Sequence, residues 1–186
     1  MKDLSLHLMD IVQNSVAAGA NHIRISLILQ NEMLYLKVTD NGNGIEPELL
    51  KKVTDPFVTT RITRKVGLGI SLLKFSAEMA GGSLEIQSEK GKGTELTARF
   101  KRDHIDRIPV GDIGDTMKAL VPAYSGLDFE LRFRADSKEY ELKTQEIKNY
   151  LNGVPLKNTD ILNWIGDSIQ EGLNEVFGGV LDEISG

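Results

Sequence analysis

Asp40-Asn41-Gly42-Asn43-Gly44 follows the alternating run Leu34, Leu36, Val38, and the reading of this stretch decides the fold. The alternation is that of a half-buried strand ending near Thr39. A strand that stops in Asp-x-Gly-x-Gly leaves one carboxylate at its tip and two residues free to take φ > 0. That combination suits a flat polar ligand: the carboxylate accepts from an amino group, and the glycines let backbone approach without Cβ atoms in the way.

Upstream, Ile23, Ile25, Leu27 and Leu29 alternate with Arg24, Ser26 and Gln30, and Asn31-Glu32 makes a tight turn between the two strands. A helix is expected before them, from about Leu4 to Ala18, capped by Asp3 and stopped by Gly19. Leu4, Leu8, Ile11, Val12 and Ser15 share the face that packs on the sheet. The opposite stripe holds Asp3, His7, Asp10 and Asn14. Such a stripe is ordinarily a solvated face. The other reading is a metal–phosphate site, with Asn14 offering a carbonyl oxygen to Mg²⁺ and Asp10 orienting a water or another nucleophile.

Downstream, Glu46 to Val53 reads as a short helix, and Asp55-Pro56-Phe57-Val58-Thr59-Thr60-Arg61 breaks regular structure ahead of a basic segment with Arg64 and Lys65. Gly67-Leu68-Gly69 opens a second long helix with Ile70, Leu72, Leu73, Ala77 and Ala80 as buried positions. Glycines at a helix N-terminus expose backbone N–H groups in a positive potential, which suits a polyphosphate; a glycine-rich turn for close packing is the alternative. Two more alternating strands follow, Leu84 and Ile86, then Leu96, Ala98 and Phe100, joined by Glu89-Lys90-Gly91-Lys92-Gly93-Thr94. That loop lacks the spacing of a P-loop. Gly67-Leu68-Gly69 follows a basic loop rather than a strand and lacks the third glycine of a dinucleotide fingerprint.

Past Arg102 the pattern changes. Residues 107–112 read as a linker before a helix around Thr116–Val121, and Phe129, Leu131 and Phe133 open a second hairpin completed by Glu139–Lys143. Gln145–Leu151 and Thr159–Phe177 read as helices, the latter with Ile161, Ile165, Ile169 and Leu173 on one stripe that serves as core or as a dimer or partner face. Residues 1–102 carry a charge balance of +3 and residues 103–186 one of −8. The acidic remainder argues against nucleic-acid binding, and the mildly basic first part suits a phosphate ligand. With no cysteine, disulfide scaffolds, thiolate metal sites and thiol catalysis are excluded. No signal peptide is read at the start and no apolar run would span a membrane, so a cytoplasmic protein is expected.

The order of these pieces resembles the GHKL superfamily, the ATP-binding domains shared by gyrase, the ninety-kilodalton heat-shock chaperone, histidine kinases and mismatch-repair ATPases. The match is nearest to sensor histidine kinases. Their five sequence boxes look like Asn14, Asp40–Gly44, Asp55–Thr60, Gly67–Gly69 and Ser88–Thr94, and cover residues 1 to about 102. The resemblance implies an α+β fold: a two-layer α/β sandwich with a mixed sheet and helices on one face, followed by a small C-terminal α+β extension over 103–186. It implies ATP and Mg²⁺ as cofactors. Asn14 would ligate the metal, Asp40 and Thr94 would meet the adenine edge, and Gly42, Gly44, Gly67, Leu68 and Gly69 would line the nucleotide. Residues 54–66 would form a lid in which Arg61 or Lys65 neutralises phosphate charge, and Asp10 would be the catalytic position.

This sequence departs from the family pattern in three ways. Asp10 stands where the ATPases often have Glu, and Lys65 stands where the kinases have a further glycine. Because the resemblance starts with the ATP-binding domain, and His7, His22 and His104 lie outside any phosphoacceptor hairpin, a stand-alone form is expected. The expectation is thus a protein kinase or ATPase whose acceptor comes from a partner protein. A nucleotide-gated binding module with little catalysis is the alternative, and a homodimer through the C-terminal region is a further expectation.

Overall fold

The computed structural model describes residues 3–53 and 68–181. The expected lid over 54–66, with Arg61 and Lys65, and the neighbouring Gly67 lie outside the described residues. The elements in chain order are α1 (Leu4–Ala17), β1 (His22–Gln30), β2 (Met33–Asp40), α2 (Pro47–Val53), α3 (Leu68–Met79), β3 (Ser83–Glu89), β4 (Gly93–Lys101), α4 (Ile113–Ala123), β5 (Asp128–Ala135), β6 (Lys138–Lys143), α5 (Thr144–Tyr150) and α6 (Thr159–Phe177). Among the described residues, six strands form one mixed sheet in the order β3-β4-β2-β1-β5-β6, in which only the β1–β5 pair is parallel. This is the expected α+β fold.

Local chemistry starts and stops several elements where expected, whereas α4 begins three residues ahead of the expected Thr116 because Asp112 caps it by accepting the Asp115 N–H at 2.7 Å. Asp3 caps α1 by accepting the Leu6 N–H at 3.0 Å. The β1–β2 turn holds Asn31 and Glu32 at φ 51° and 59°, the paired left-handed geometry of a two-residue hairpin. In α6, Asn158 caps the first turn and Gly178 ends the helix at φ 56°.

Alternation then builds one apolar face across all six strands. One row reads Ile86, Leu96, Val38, Ile25, Leu131, Leu142 from edge to edge, following the strand registers. The neighbouring row on the opposite face reads Glu85, Thr97, Lys37, Ser26, Arg132, Glu141. A strand presents successive side chains to opposite faces, so helices can bury only the first of these. Leu4, Leu8 and Val12 of α1, Ile70 and Leu73 of α3, Met117 of α4, and Ile165 and Ile169 of α6 complete a single core with it. The layers approach closely enough at α4 and α6 that a Cβ on Gly114 would lie 2.6 Å from the Gly166 carbonyl oxygen.

Residues beyond 102 extend the sheet that the first part begins. Residues 107–112 form an ordered strap: Pro109 and Val110 carbonyls accept the Leu4 and Ser5 N–H groups at 2.9 and 3.0 Å. Arg107 is buried there and donates to the carbonyl oxygens of Arg102 and Leu181. The α6 stripe of Ile165, Ile169 and Leu173 is buried in the core, so it is not an open dimer face. One position expected in the core of α3 is exposed. Leu72 is 42% exposed, because it lies about 200° around α3 from Ile70 and joins Leu68, Phe75 and Met79 on the outward side.

Candidate nucleotide site

The alternation that buries Leu34, Leu36 and Val38 puts Asp40 on the same face, at the open end of β2. Register places Thr94 beside Asp40 and Ser88 beside Thr94, so three polar side chains form a row at the end of an otherwise apolar surface. Opposite them, α1 and its C-cap present Ile11, Asn14, Ser15 and Ala18. Between helix and sheet is a cavity of about 300 Å³. Its walls are mainly apolar, with Val38, Ile70, Ile86 and Leu96 contributing, while Asn14, Ser15, Asp40 and Thr94 supply convergent polar groups.

Asp40 is held on both oxygens. Oδ2 accepts the Ser15 hydroxyl at 2.6 Å and Oδ1 accepts the Gly42 N–H at 2.9 Å. Thr94 Oγ1 and Ser88 Oγ are 2.8 Å apart. The loop after β2 is tied to the β3–β4 hairpin by Ile45 N–H to Ser88 Oγ at 2.8 Å, Gly91 N–H to the Asn43 carbonyl at 2.8 Å, and a Lys90–Glu46 ion pair. Gly44, at φ 69°, lines the cavity and packs so tightly against the Glu89 carbonyl that a Cβ has no room. Gly42 lies behind the cavity, where a Cβ would stand 2.9 Å from the Ala18 carbonyl oxygen. Asn41 anchors the loop outward, accepting the N–H groups of Asn21 and His22 at 3.0 Å each.

Asp10 sits one turn before Asn14 but outside the cavity lining, against the first turn of α3. A Cβ on Gly69 would be 2.5 Å from Asp10 Oδ2, so only glycine lets this helix terminus approach the carboxylate. Leu68, the first residue of α3, points outward and is 59% exposed. Of the expected site residues, the structure therefore gathers Asn14, Asp40, Gly44 and Thr94 around the cavity. It sets Asp10 and Gly69 together beside it and leaves Leu68 and Gly42 off its walls.

Three residues of this region have roles that sequence reasoning does not give them. Ser15, buried on the packing face as expected, also orients Asp40; a lone hydroxyl in an apolar stripe is the available signal. Ser88 links the loop, β3 and β4. His7, expected on a polar stripe, is buried, and neither ring nitrogen makes a well-formed hydrogen bond among the described residues, although the Gly69 backbone stands close enough to act on the ring. Burial pushes its imidazole below the ordinary value, against the weaker upward pull of the Gly69 backbone and the Asp10 and Asp3 carboxylates.

Known proteins carry the same arrangement of sequence. The family model described as histidine kinase-, DNA gyrase B- and HSP90-like ATPase matches residues 2–104. Sporulation kinase D of Bacillus subtilis (strain 168) is 35% identical over 97 residues, 49% of this chain and 19% of that protein. A putative sensor protein of Shewanella frigidimarina is 35% identical over 97 residues, 50% of this chain and 15% of that protein. Sensor protein SrrB of Staphylococcus aureus is 43% identical over 76 residues, 38% of this chain and 13% of that protein. The chain spans less than a fifth of the length of these relatives. With more than half of its residues covered by that family model, the chain belongs to the histidine kinase-, DNA gyrase B- and HSP90-like ATPases, and it is an ATP-binding, kinase-like module.

Proposed function

We propose that this protein uses Mg²⁺-ATP to phosphorylate a partner protein on a histidine or serine side chain. The observation that carries this reading is the Asp40 carboxylate, fixed by Ser15 and Gly42 at the polar end of an apolar cavity of about 300 Å³, roomy enough for a purine base. Asp40 would accept from the adenine amino group, with Thr94 at the same edge. A base presenting an oxygen there would leave the carboxylate facing another acceptor. The backbone at Gly67 and Gly69 would meet phosphate oxygens at the positive end of α3, and Arg61 or Lys65 would neutralise charge on the transferred group. The bond from the γ-phosphorus to the β–γ bridging oxygen breaks as the partner's nucleophile bonds to phosphorus. ADP leaves, and the chain's contribution is positioning and charge stabilisation.

Asn14 lines the cavity and would hold Mg²⁺ through its carbonyl oxygen. The described residues contain no cluster of three His, Cys, Asp or Glu side chains suited to a metal. A single protein oxygen fits an ion held mainly by phosphates and water, whose chemistry is to offset phosphate charge.

Calorimetric titration with ATP, ADP and GTP, with and without Mg²⁺, tests the reading. Adenine-selective, Mg²⁺-dependent binding is expected; absence of ATP binding sinks it. One observation favours the nucleotide-gated module instead: Asp10 packs on Gly69 rather than lining the cavity. Asp10→Ala tests this: it abolishes turnover while leaving ATP binding largely intact if the protein is an ATPase that uses this carboxylate as base, and a variant in which neither changes excludes such an ATPase.

A cytoplasmic location belongs to the same reading, and no described helix is long and apolar enough to cross a membrane. Pairing of two copies through the C-terminal region would fall to the groove of Tyr150, Ile161 and Trp164 between α5 and α6, because the rest of the α6 stripe is buried. Sedimentation of the wild type and of Trp164→Glu tests that part.

A further inference from the structure

The side chains of Ser88, Thr94 and Asp40 do not have equal freedom in the direction of their hydrogen bonds. Ser88 Oγ accepts the Ile45 N–H at 2.8 Å, lies 3.0 Å from the Gly93 carbonyl oxygen, and lies 2.8 Å from Thr94 Oγ1. A serine hydroxyl has one proton to donate and two lone pairs to accept with. A carbonyl can only accept, so the Gly93 contact is a hydrogen bond only when the Ser88 proton points to it. The Thr94 contact then runs the other way, with Thr94 donating to Ser88. This single arrangement satisfies all three contacts, two accepted and one donated. The reverse direction leaves the Gly93 contact without a proton. On the far side of Thr94, the Asp40 carboxylate receives protons from Ser15 and Gly42 and has none to give.

We infer that Ser88 is a specificity-determining positioning residue: by taking the Thr94 proton it turns the Thr94 oxygen into an acceptor. Thr94 and Asp40 then form a wall of acceptors at the polar end of the cavity. Such a wall admits a base edge that carries an amino group and rejects one that has only acceptors, because a buried acceptor facing another stays unpaired. The inference rests on reading the cavity as a nucleotide site. Ser88 itself is not among the cavity-lining residues, so it acts through Thr94.

The test compares ATP with purine riboside triphosphate, the same nucleotide without the 6-amino group, whose base edge keeps the ring-nitrogen acceptor and loses its donors. Binding is measured calorimetrically for wild type, Ser88→Ala, Ser88→Thr and Thr94→Val. The wild type is expected to prefer ATP on the order of 100-fold, the upper end of what one hydrogen bond to a charged acceptor is worth. Ser88→Ala frees the Thr94 proton to meet the ring nitrogen, so the preference narrows roughly tenfold through tighter binding of the analogue. Ser88→Thr keeps the wild-type ratio. Thr94→Val weakens ATP alone, and this variant carries the test if Ser88→Ala does not fold.

A Thr94 that donated to the ring nitrogen would serve both nucleotides. Equal losses in Thr94→Val, or an unchanged ratio in Ser88→Ala, therefore overturn the inference while leaving ATP binding standing. A wild type that binds neither nucleotide overturns the nucleotide reading and the inference with it.

Discussion

His7, on α1 one turn before Asp10, is buried against the start of α3, with neither ring nitrogen in a well-formed hydrogen bond among the described residues. Its pKa is lowered chiefly by burial from an ordinary value of 6.5. The unfolded chain therefore takes up this proton before the folded one does. The sign follows: stability is full above the ordinary value and drops as pH falls below it, by at most about 1.4 kcal/mol per pH unit while the folded ring stays neutral. Urea unfolding midpoints at about pH 7.5 and about pH 5.5 check this, with wild type losing more stability on acidification than His7→Leu, which removes the titrating ring. Equal losses would show that the ring protonates freely in the fold. Because Asp10 and the Gly69 backbone are neighbours of His7, the same protonation would be felt at the start of α3.

At the scale of an element, α3 is a helix with two apolar stripes of different fate. Ile70, Leu73 and Ala77 are buried on the sheet, while Leu68, Leu72, Phe75 and Met79 recur at spacings of four, three and four on the outward side. Periodicity alone makes both stripes look like core. Leu73→Ala is expected to cost about 3 kcal/mol through the lost burial and the cavity left behind. Phe75→Asp is expected to change stability by no more than about 0.5 kcal/mol, since Phe75 is 61% exposed. Denaturant unfolding of the two variants measures this. A loss at Phe75 comparable to that at Leu73 would mean that the outward stripe is covered within the folded chain.

Across the whole molecule, the parallel β1–β5 pair joins the two parts of the sequence, and its polar face is centred on Glu130. Arg24 meets both carboxylate oxygens, at 3.0 and 3.1 Å, with His22 and Arg132 at 3.5 and 3.9 Å. Burial pushes the Glu130 carboxyl up, but the Arg24 hydrogen bond and the charges of Arg24 and Lys143 outweigh it and hold the carboxyl below its ordinary value of 4.5. This contribution is thus present above that value and lost as pH falls through the lowered one. Glu130→Ala is expected to cost about 2 kcal/mol, since charge-assisted hydrogen bonds are lost at a nearly buried carboxylate. On the apolar face Phe133 stacks on Tyr140 at 5.3 Å and meets Phe177 at 6.2 Å, so β5, β6 and α6 share the core of β1 and β2. Calorimetry is expected to show one unfolding transition, shifted as a unit by Glu130→Ala. Two transitions, with only one shifted, would contradict a common core.

What could be read from residue order was whatever depends on near neighbours in the chain. Caps, two-residue turns and period-two alternation act over a few residues, which is why α1, the β1–β2 hairpin, α6 and the position of Asp40 at a strand tip were legible. The grouping of Asp40 with Asn14 and Thr94 was legible through the order of the five boxes, by resemblance rather than by spacing. Tertiary structure decided what depends on partners distant in sequence. It chose which stripe of α3 meets the sheet, ran β5 alongside β1 rather than beyond β3, and brought Asp10 against Gly69. It also set the hydrogen-bond directions at Ser88 and Thr94. Burial and proton direction belong to the assembled neighbourhood: a side chain carries its donors and acceptors in the sequence, and only the fold says which of them remain unpaired.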